Sequence, residues 1–160
     1  MVAIISATCA VISMLITVGT FIFQQYDSRP EIIISIRRRR GSSTISTGHE
    51  TYTHAFTLVE LVAVNVGKST ARNVDITFIA DGSESPALII DGPEHSRFHA
   101  VQMPVIPANS SFVFFDFLEE RMHRVKPQKA SFAITFTGPF RLKRHHIQTI
   151  DFTNTPPLFV

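Results

Sequence analysis

Tryptophan is absent from this 160-residue sequence, cysteine occurs once and tyrosine twice. The one cysteine is Cys9, so the remainder of the chain can form no disulfide, and a disulfide-stapled or Cys–Trp–Cys antibody-type core is excluded. Charge is missing from one end: the 15 Lys and Arg and the 13 Asp and Glu all lie from Asp27 onward. A large charge imbalance is missing as well, since the net charge of +2 is too small for a dedicated nucleic-acid binder. Beyond the uncharged stretch lie roughly 130 residues, enough for one hydrophobic core and not two, which excludes a multi-domain enzyme. We expect residues 1–25 to be a membrane anchor, 26–30 a linker and 31–160 one β-domain.

Residues 2–23 read VAIISATCAVISMLITVGTFIF. As a helix they would extend about 33 Å at about 1.5 Å per residue, against a hydrocarbon core of about 30 Å, so a transmembrane helix is expected. A buried core helix would carry charge on its exposed face, and none is present. A cleaved signal peptide would need a basic start and a small-x-small cleavage site, and neither is found. Lys and Arg flank the span on one side only, as Arg29 and Arg37 to Arg40. The positive-inside rule then predicts an inner-membrane, single-pass protein with its N-terminus outside and its C-terminal domain in the cytoplasm.

Ala3, Ser6, Ala10, Ser13, Thr17, Thr20 and Gln24 recur at alternating spacings of three and four, a stripe of small and polar groups on one helix face. Small residues let backbones approach and hydroxyls can bond across helices, so the stripe could pack against a second copy or a membrane partner. Equally, Ser and Thr can bond the carbonyl one turn back along their own helix.

Beyond Arg29-Pro30 the patterning has period two. EIIISIR predicts a first strand, GSSTISTG (residues 41–48) a flexible loop, and FTLVELVAVN a central strand apolar on both faces. RNVDITFIA alternates, placing Val74, Ile76 and Phe78 inward against Asn73, Asp75 and Thr77. Turn chemistry stands at Asp81-Gly82-Ser83, at Asp91-Gly92-Pro93 and from Pro104 to Ser111. SFVFFDFL predicts a second two-sided strand, ERMHRVK a helical turn, and ASFAITFT a strand with Phe132, Ile134 and Phe136 inward; HIQTIDFT closes the domain. Seven or eight short strands of this kind predict an all-β, immunoglobulin-like antiparallel β-sandwich with a phenylalanine interior, preceded by one N-terminal transmembrane α-helix.

The apolar span, Arg29 to Ile34, LVAVNVGKSTARNVDITFI and Pro104 to Asn109 together resemble small bacterial single-pass membrane proteins with an immunoglobulin-like domain. Within them, Asn65-Val66-Gly67 followed by Ala71 and Asn73-Val74 is similar to the hairpin of CARDB-like adhesion modules. The WHy-type domain is similar too, though it prefers Asn-Pro-Asn where this chain has Asn65-Val66-Gly67. The resemblance implies a sandwich fold and a non-enzymatic role. It carries over no functional residue.

Candidate chemistry is sparse. Gly67-Lys68-Ser69-Thr70 lacks the upstream glycine of a phosphate loop, the position being Val62, and a strand pattern comes next instead of a helix. Of seven histidines, His95 and His99 are four apart and His145 and His146 adjacent, which on a strand sends the last two to opposite faces. His49, His54 and His123 are scattered. Asp116 and Glu119-Glu120 form a solvated acidic edge, and Glu60 is a lone charge in an apolar strand, to be paired by an Arg inside the sandwich or placed at a strand edge facing solvent. Arg37, Arg38, Arg39 and Arg40 form a basic run that could serve as a solvated strand end or topology signal, a lipid contact or an acidic-partner contact. The expected function is a membrane-anchored, non-catalytic interaction or scaffold module in the cytoplasm, its partners the bilayer and a protein or second copy. No cofactor, metal, nucleic acid or small-molecule substrate is expected. An extracytoplasmic envelope-binding module with inverted topology is the alternative, and a metal-dependent enzyme requires converging histidines.

Overall fold

The structure, a computed structural model, describes residues 2–47, 50–80, 87–91 and 96–153, with the backbone alone described at residues 2–9, 25–27, 45, 47, 50 and 140. A single α-helix, α1 (Val2–Asp27), opens the chain. It is uncharged as far as Tyr26, and it stops just before Arg29-Pro30, where the proline ring disfavours a helical residue ahead of it. Among the described residues no helix is long and apolar enough to cross a membrane. The described side chains of α1 are those of residues 10–24, fewer than the about 20 positions a span needs.

The described chain after α1 is mostly antiparallel β-structure with short connections. Sheet A takes the order β1 (Ile32–Thr47), β2 (Glu50–Asn65), β7 (Ser111–Leu118). Sheet B takes the order β10 (Lys143–Asp151), β9 (Lys129–Thr137), β3 (Ala71–Ile79), β6 (Ala100–Ile106). A small third sheet joins β5 (Ser96–Phe98), β4 (Leu88–Ile90) and β8 (Val125–Lys126). A 3₁₀ turn, Glu119–Arg124, leads from β7 into β8, at the place where ERMHRVK predicted a helical turn.

The period-two patterning sets the core. Ile32 and Ile34 on β1, Val59, Leu61 and Ala63 on β2, Val74, Ile76 and Phe78 on β3, and Phe132, Ile134 and Phe136 on β9 all point into one buried cluster. Sheets A and B meet there through aromatic rings. Phe114 of β7 lies 6.3 Å from Phe132 of β9, and Phe98 of β5 touches both, at 5.2 and 6.0 Å. Complete burial of side chains this size contributes about 1.5–3 kcal/mol each, enough to make this cluster the main source of stability.

Three expectations require correction. Residues 41–47 are not a flexible loop: they continue β1, paired rung for rung with β2 from Gly41↔Phe56 to Thr47↔Glu50. SFVFFDFL is not buried on both faces: it is the edge of sheet A, with Phe112 and Val113 exposed. Its double apolar run has another cause. The register shifts between Leu61 and Val62, which pair with Phe115 and Val113, so Phe114 is the extra residue of a bulge. Phe114 and Phe115 therefore both pack against the core. Finally, Pro104 does not begin a turn but lies inside β6, an edge strand of sheet B where no ladder hydrogen bond is demanded of it. The turn expected at Asp81-Gly82-Ser83, and Gly92-Pro93 of the next, lie outside the described residues.

Candidate functional site

The chain enters the domain through a polar clamp. Asn65, fully buried at the end of β2, accepts hydrogen bonds at Oδ1 from the backbone N–H of Glu31 (3.2 Å) and of Gly67 (3.1 Å). Its Nδ2 donates to the carbonyls of Ser69 (2.8 Å) and Ile106 (3.0 Å). Two further backbone bonds, Val66 N–H to Glu31 O (2.9 Å) and Lys68 N–H to Arg29 O (3.1 Å), complete the attachment. The Asn65-Val66-Gly67 motif is thus a buried, fully satisfied junction that ties residues 29–31 to the β2–β3 turn. Gly67 is required by proximity: a Cβ there would lie 2.6 Å from Pro30 Cα, and closer still to the carbonyl of Arg29 and the nitrogen of Glu31. Gly67 to Thr70 form a strand-to-strand turn, as the sequence indicates, and β3 begins directly after it.

The basic run lies on β1 beside the centre strand. Arg37 and Arg39 face the outer side of sheet A and converge on Glu60, with Arg37 Nη2 2.7 Å from Oε2, Arg37 Nε 2.8 Å from the same oxygen, and Arg39 Nη1 3.8 Å from Oε1. Arg38, on the opposite face, reaches Glu119 at 3.0 Å. Arg40 lines a shallow cleft with Gly41, Phe56, Glu119 and Glu120. Alternation divides the four arginines between two faces, and three of them hold carboxylates. Glu60, only 4% exposed at its side chain, is flanked across the sheet by Arg37 and Asp116, its register partners. A like-charge neighbour on one side makes the arginine on the other side more necessary.

Along α1 the described stripe residues Ala10, Ser13, Thr17, Thr20 and Gln24 are exposed, while the side chains of Ala3 and Ser6 lie outside the described residues. Thr17 Oγ1 donates to Ser13 O and Thr20 Oγ1 to Ile16 O, each at 2.8 Å. Their hydroxyls are satisfied one turn back along their own helix, leaving methyl and small groups on the surface.

The histidines do not gather. His54, His99, His123 and His145 are exposed and on separate elements, and His146 is half-buried edge-on to Phe136 at 6.1 Å. His49 and His95 lie outside the described residues. Among the described residues no three His, Cys, Asp or Glu side chains come together as a metal site.

The feature that sequence reasoning missed is a projecting ribbon. Strand β7 pairs with β2 only over residues 58–64, whereas β1 and β2 pair with each other all the way to Thr47↔Glu50. Seven rungs beyond Thr57 therefore stand as a two-stranded arm of about 23 Å, at about 3.3 Å per rung. Ser42, Ser43, Thr44 and Ser46 on one strand, and residues 51–55 on the other, are exposed. Phe56 lies across Gly41 at the base of the arm, where a Cβ on Gly41 would be 2.5 Å from the ring. The signal was present in the β-branched run Thr51, Thr53 opposite Thr44, Ile45 and Thr47, but serine and glycine masked it. Glu50 is the one Asp, Glu, Lys or Arg within residues 41–56. The arm therefore lacks the charged residues that usually block strand addition at an open edge.

The chain matches, over residues 1–155, the family described as Domain of unknown function (DUF8453), and it belongs to that family. No curated protein and no solved structure matches it.

Proposed function

We propose that this member of the DUF8453 family is a membrane-anchored, non-catalytic interaction module. In this reading residues 2–23 hold an immunoglobulin-like β-sandwich at the cytoplasmic face of the inner membrane, and the distal β1–β2 arm takes up a protein partner. The single observation that carries the reading is the arm: two open strand edges, rich in Ser and Thr and almost free of charge, offered to an extended segment of another chain. The uncharged residues 2–23 and the continuous helix through them support the anchor. Anchoring would raise the effective concentration of a weakly bound partner, which suits an edge-strand contact.

Two measurements test this. A C-terminal reporter active in one compartment reads topology, and we expect cytoplasmic activity; activity on the other side would favour the envelope-binding alternative. Site-specific photocrosslinking from position 53 on the arm should give a discrete adduct that Thr44→Pro abolishes, because Thr44, in register with Ile34 on the same strand, turns its N–H away from β2 to the open edge, and Pro removes that donor. No adduct from any of positions 44, 51 and 53 would overturn the role of the arm.

A further inference from the structure

The end of the domain nearest α1 has a composition unlike the rest. Four segments meet there: the exit from α1 at residues 29–31, the β2–β3 turn at residues 67–70, the start of β3, and the β9–β10 connection at residues 138–142. The contacts are direct. Lys68 N–H donates to Arg29 O at 3.1 Å, and a Cβ on Gly138 would touch the Pro30 ring at 3.3 Å. Gly138 N–H donates to Leu142 O at 3.0 Å, closing the connection into a compact turn, with Arg141 at φ 59°.

Two adjoining clefts open on this end, of about 680 and 780 Å³. Among the described residues their walls supply six cations, Arg29, Lys68, Arg72, Arg141, Lys143 and Arg144, and the carboxylate of Glu31. With a net charge of only +2 for the chain, this is a strong local asymmetry. Two apolar side chains project among the cations: Leu142, 61% exposed where the β9–β10 connection enters β10, and Val66, 46% exposed beside Lys68. Bases around an exposed aliphatic tip suit a lipid surface, where phosphates meet the bases and the tip enters the interface.

Distance also favours it. Arg29 comes six residues after Phe23, which is about 9 Å at about 1.5 Å per residue, close to the Debye length of about 8 Å in physiological salt. The Arg37–Arg40 run lies farther along β1 and largely holds Glu60 and Glu119.

We propose that this end of the domain docks on an anionic phospholipid surface, with Arg72, Arg141, Lys143 and Arg144 on headgroup phosphates and Leu142 in the interface. The proposal rests on the anchor reading above. Docking would orient the sandwich against the bilayer and direct the arm away from it.

The absence of tryptophan gives a clean probe. The full chain carrying Leu142→Trp would be placed in nanodiscs of phosphatidylcholine alone or with phosphatidylglycerol, each doped with a headgroup nitroxide lipid. We expect blue-shifted, quenched emission only in the phosphatidylglycerol discs, reversed in 1 M salt. Adding Arg141→Gln, Lys143→Gln and Arg144→Gln should lower the docked-to-undocked ratio about a hundredfold, at about fivefold per cation near an anionic surface. The salt reversal on the otherwise unaltered chain keeps the test decisive if the triple variant folds poorly. Incorporation with identical emission in the two lipids overturns the docking and leaves the anchor standing. A chain that enters neither disc overturns the anchor and this proposal with it. A shift produced only by an added acidic polypeptide assigns the cations to a protein and also overturns it.

Discussion

The side-chain amide of Gln148 takes both backbone groups of Ile34. Its Oε1 accepts from the Ile34 N–H and its Nε2 donates to the Ile34 carbonyl, each at 2.7 Å. Ile34 lies on β1, the edge of sheet A, and Gln148 on β10, the edge of sheet B. One carboxamide thus does for a single rung what a neighbouring strand would do, and it joins the two sheets along their open side. Replacing Gln148 by Leu leaves a half-buried N–H and C=O without partners, at a cost of about 1–3 kcal/mol. Urea unfolding of Gln148→Leu checks the magnitude, and faster exchange of the Ile34 amide locates it. An unchanged amide would refute the assignment.

Gly67→Ala should act where chain segments touch and not through backbone conformation. The added methyl meets the backbone of residues 29–31, which cannot move without breaking the Asn65 hydrogen bonds. A loss of about 1–3 kcal/mol, the usual cost of overpacking, is expected. Limited proteolysis should show new cleavage near Arg29, since the clamp protects that segment.

The Arg37–Glu60 pair should respond asymmetrically. Glu60 is 4% exposed at its side chain and Arg37 52%. Removing the arginine strands a buried carboxylate beside Asp116, whereas removing the carboxylate leaves an arginine that water already reaches. We expect Arg37→Gln to cost about 1–3 kcal/mol and Glu60→Gln less than about 1 kcal/mol, with Arg39 offsetting part of the first. Chemical denaturation of the two variants and the double variant reads the difference directly. Equal losses would count against the asymmetry.

Asp151 is held below the ordinary carboxylate range, first by the Thr153 hydroxyl at 2.5 Å, next by the Thr153 backbone N–H at 2.9 Å, and last by Lys129. A depressed carboxylate contributes stability above its unfolded pKa and loses it as pH falls through the folded value. Thr153→Val should move the Asp151 titration upward while keeping the backbone donor. Carboxyl-carbon NMR across acidic pH tracks it, and an unmoved titration would show that the hydroxyl is not the main cause.

Alternation made most of the core legible in the sequence: Val74, Ile76 and Phe78, and Phe132, Ile134 and Phe136, face inward as their spacing requires. Glu60 was legible as a lone charge that an arginine could pair, but the pair lies on the outer side of sheet A and not inside the sandwich, and which arginine it takes depends on a register fixed over the whole β1–β2 ladder. The ribbon was not legible, because serine, threonine and glycine carry loop and strand signals at once. Its rungs are set by the partner strand, not by local preference. Phe114 deceived for a different reason. A bulge places two successive residues on one side, and a period-two reading cannot tell that from a strand buried on both faces. Gln148 gave no signal, since its role depends on two sheet edges meeting.

The clamp at Asn65 also has a mechanical meaning. Residues 29–31 are fixed to the domain, and β1 begins at Ile32 and runs without interruption to the tip of the arm. Tension applied to β1 at the tip therefore travels along one covalent backbone to α1, in series, without any rung of the ladder having to open. Tension applied to β2 within the arm reaches β1 both through the residues that join the two strands and by shear across the rungs between them, which loads several hydrogen bonds together. A partner gripping the first strand would load the backbone that leads to the helix, and one gripping the second would load the ladder as well.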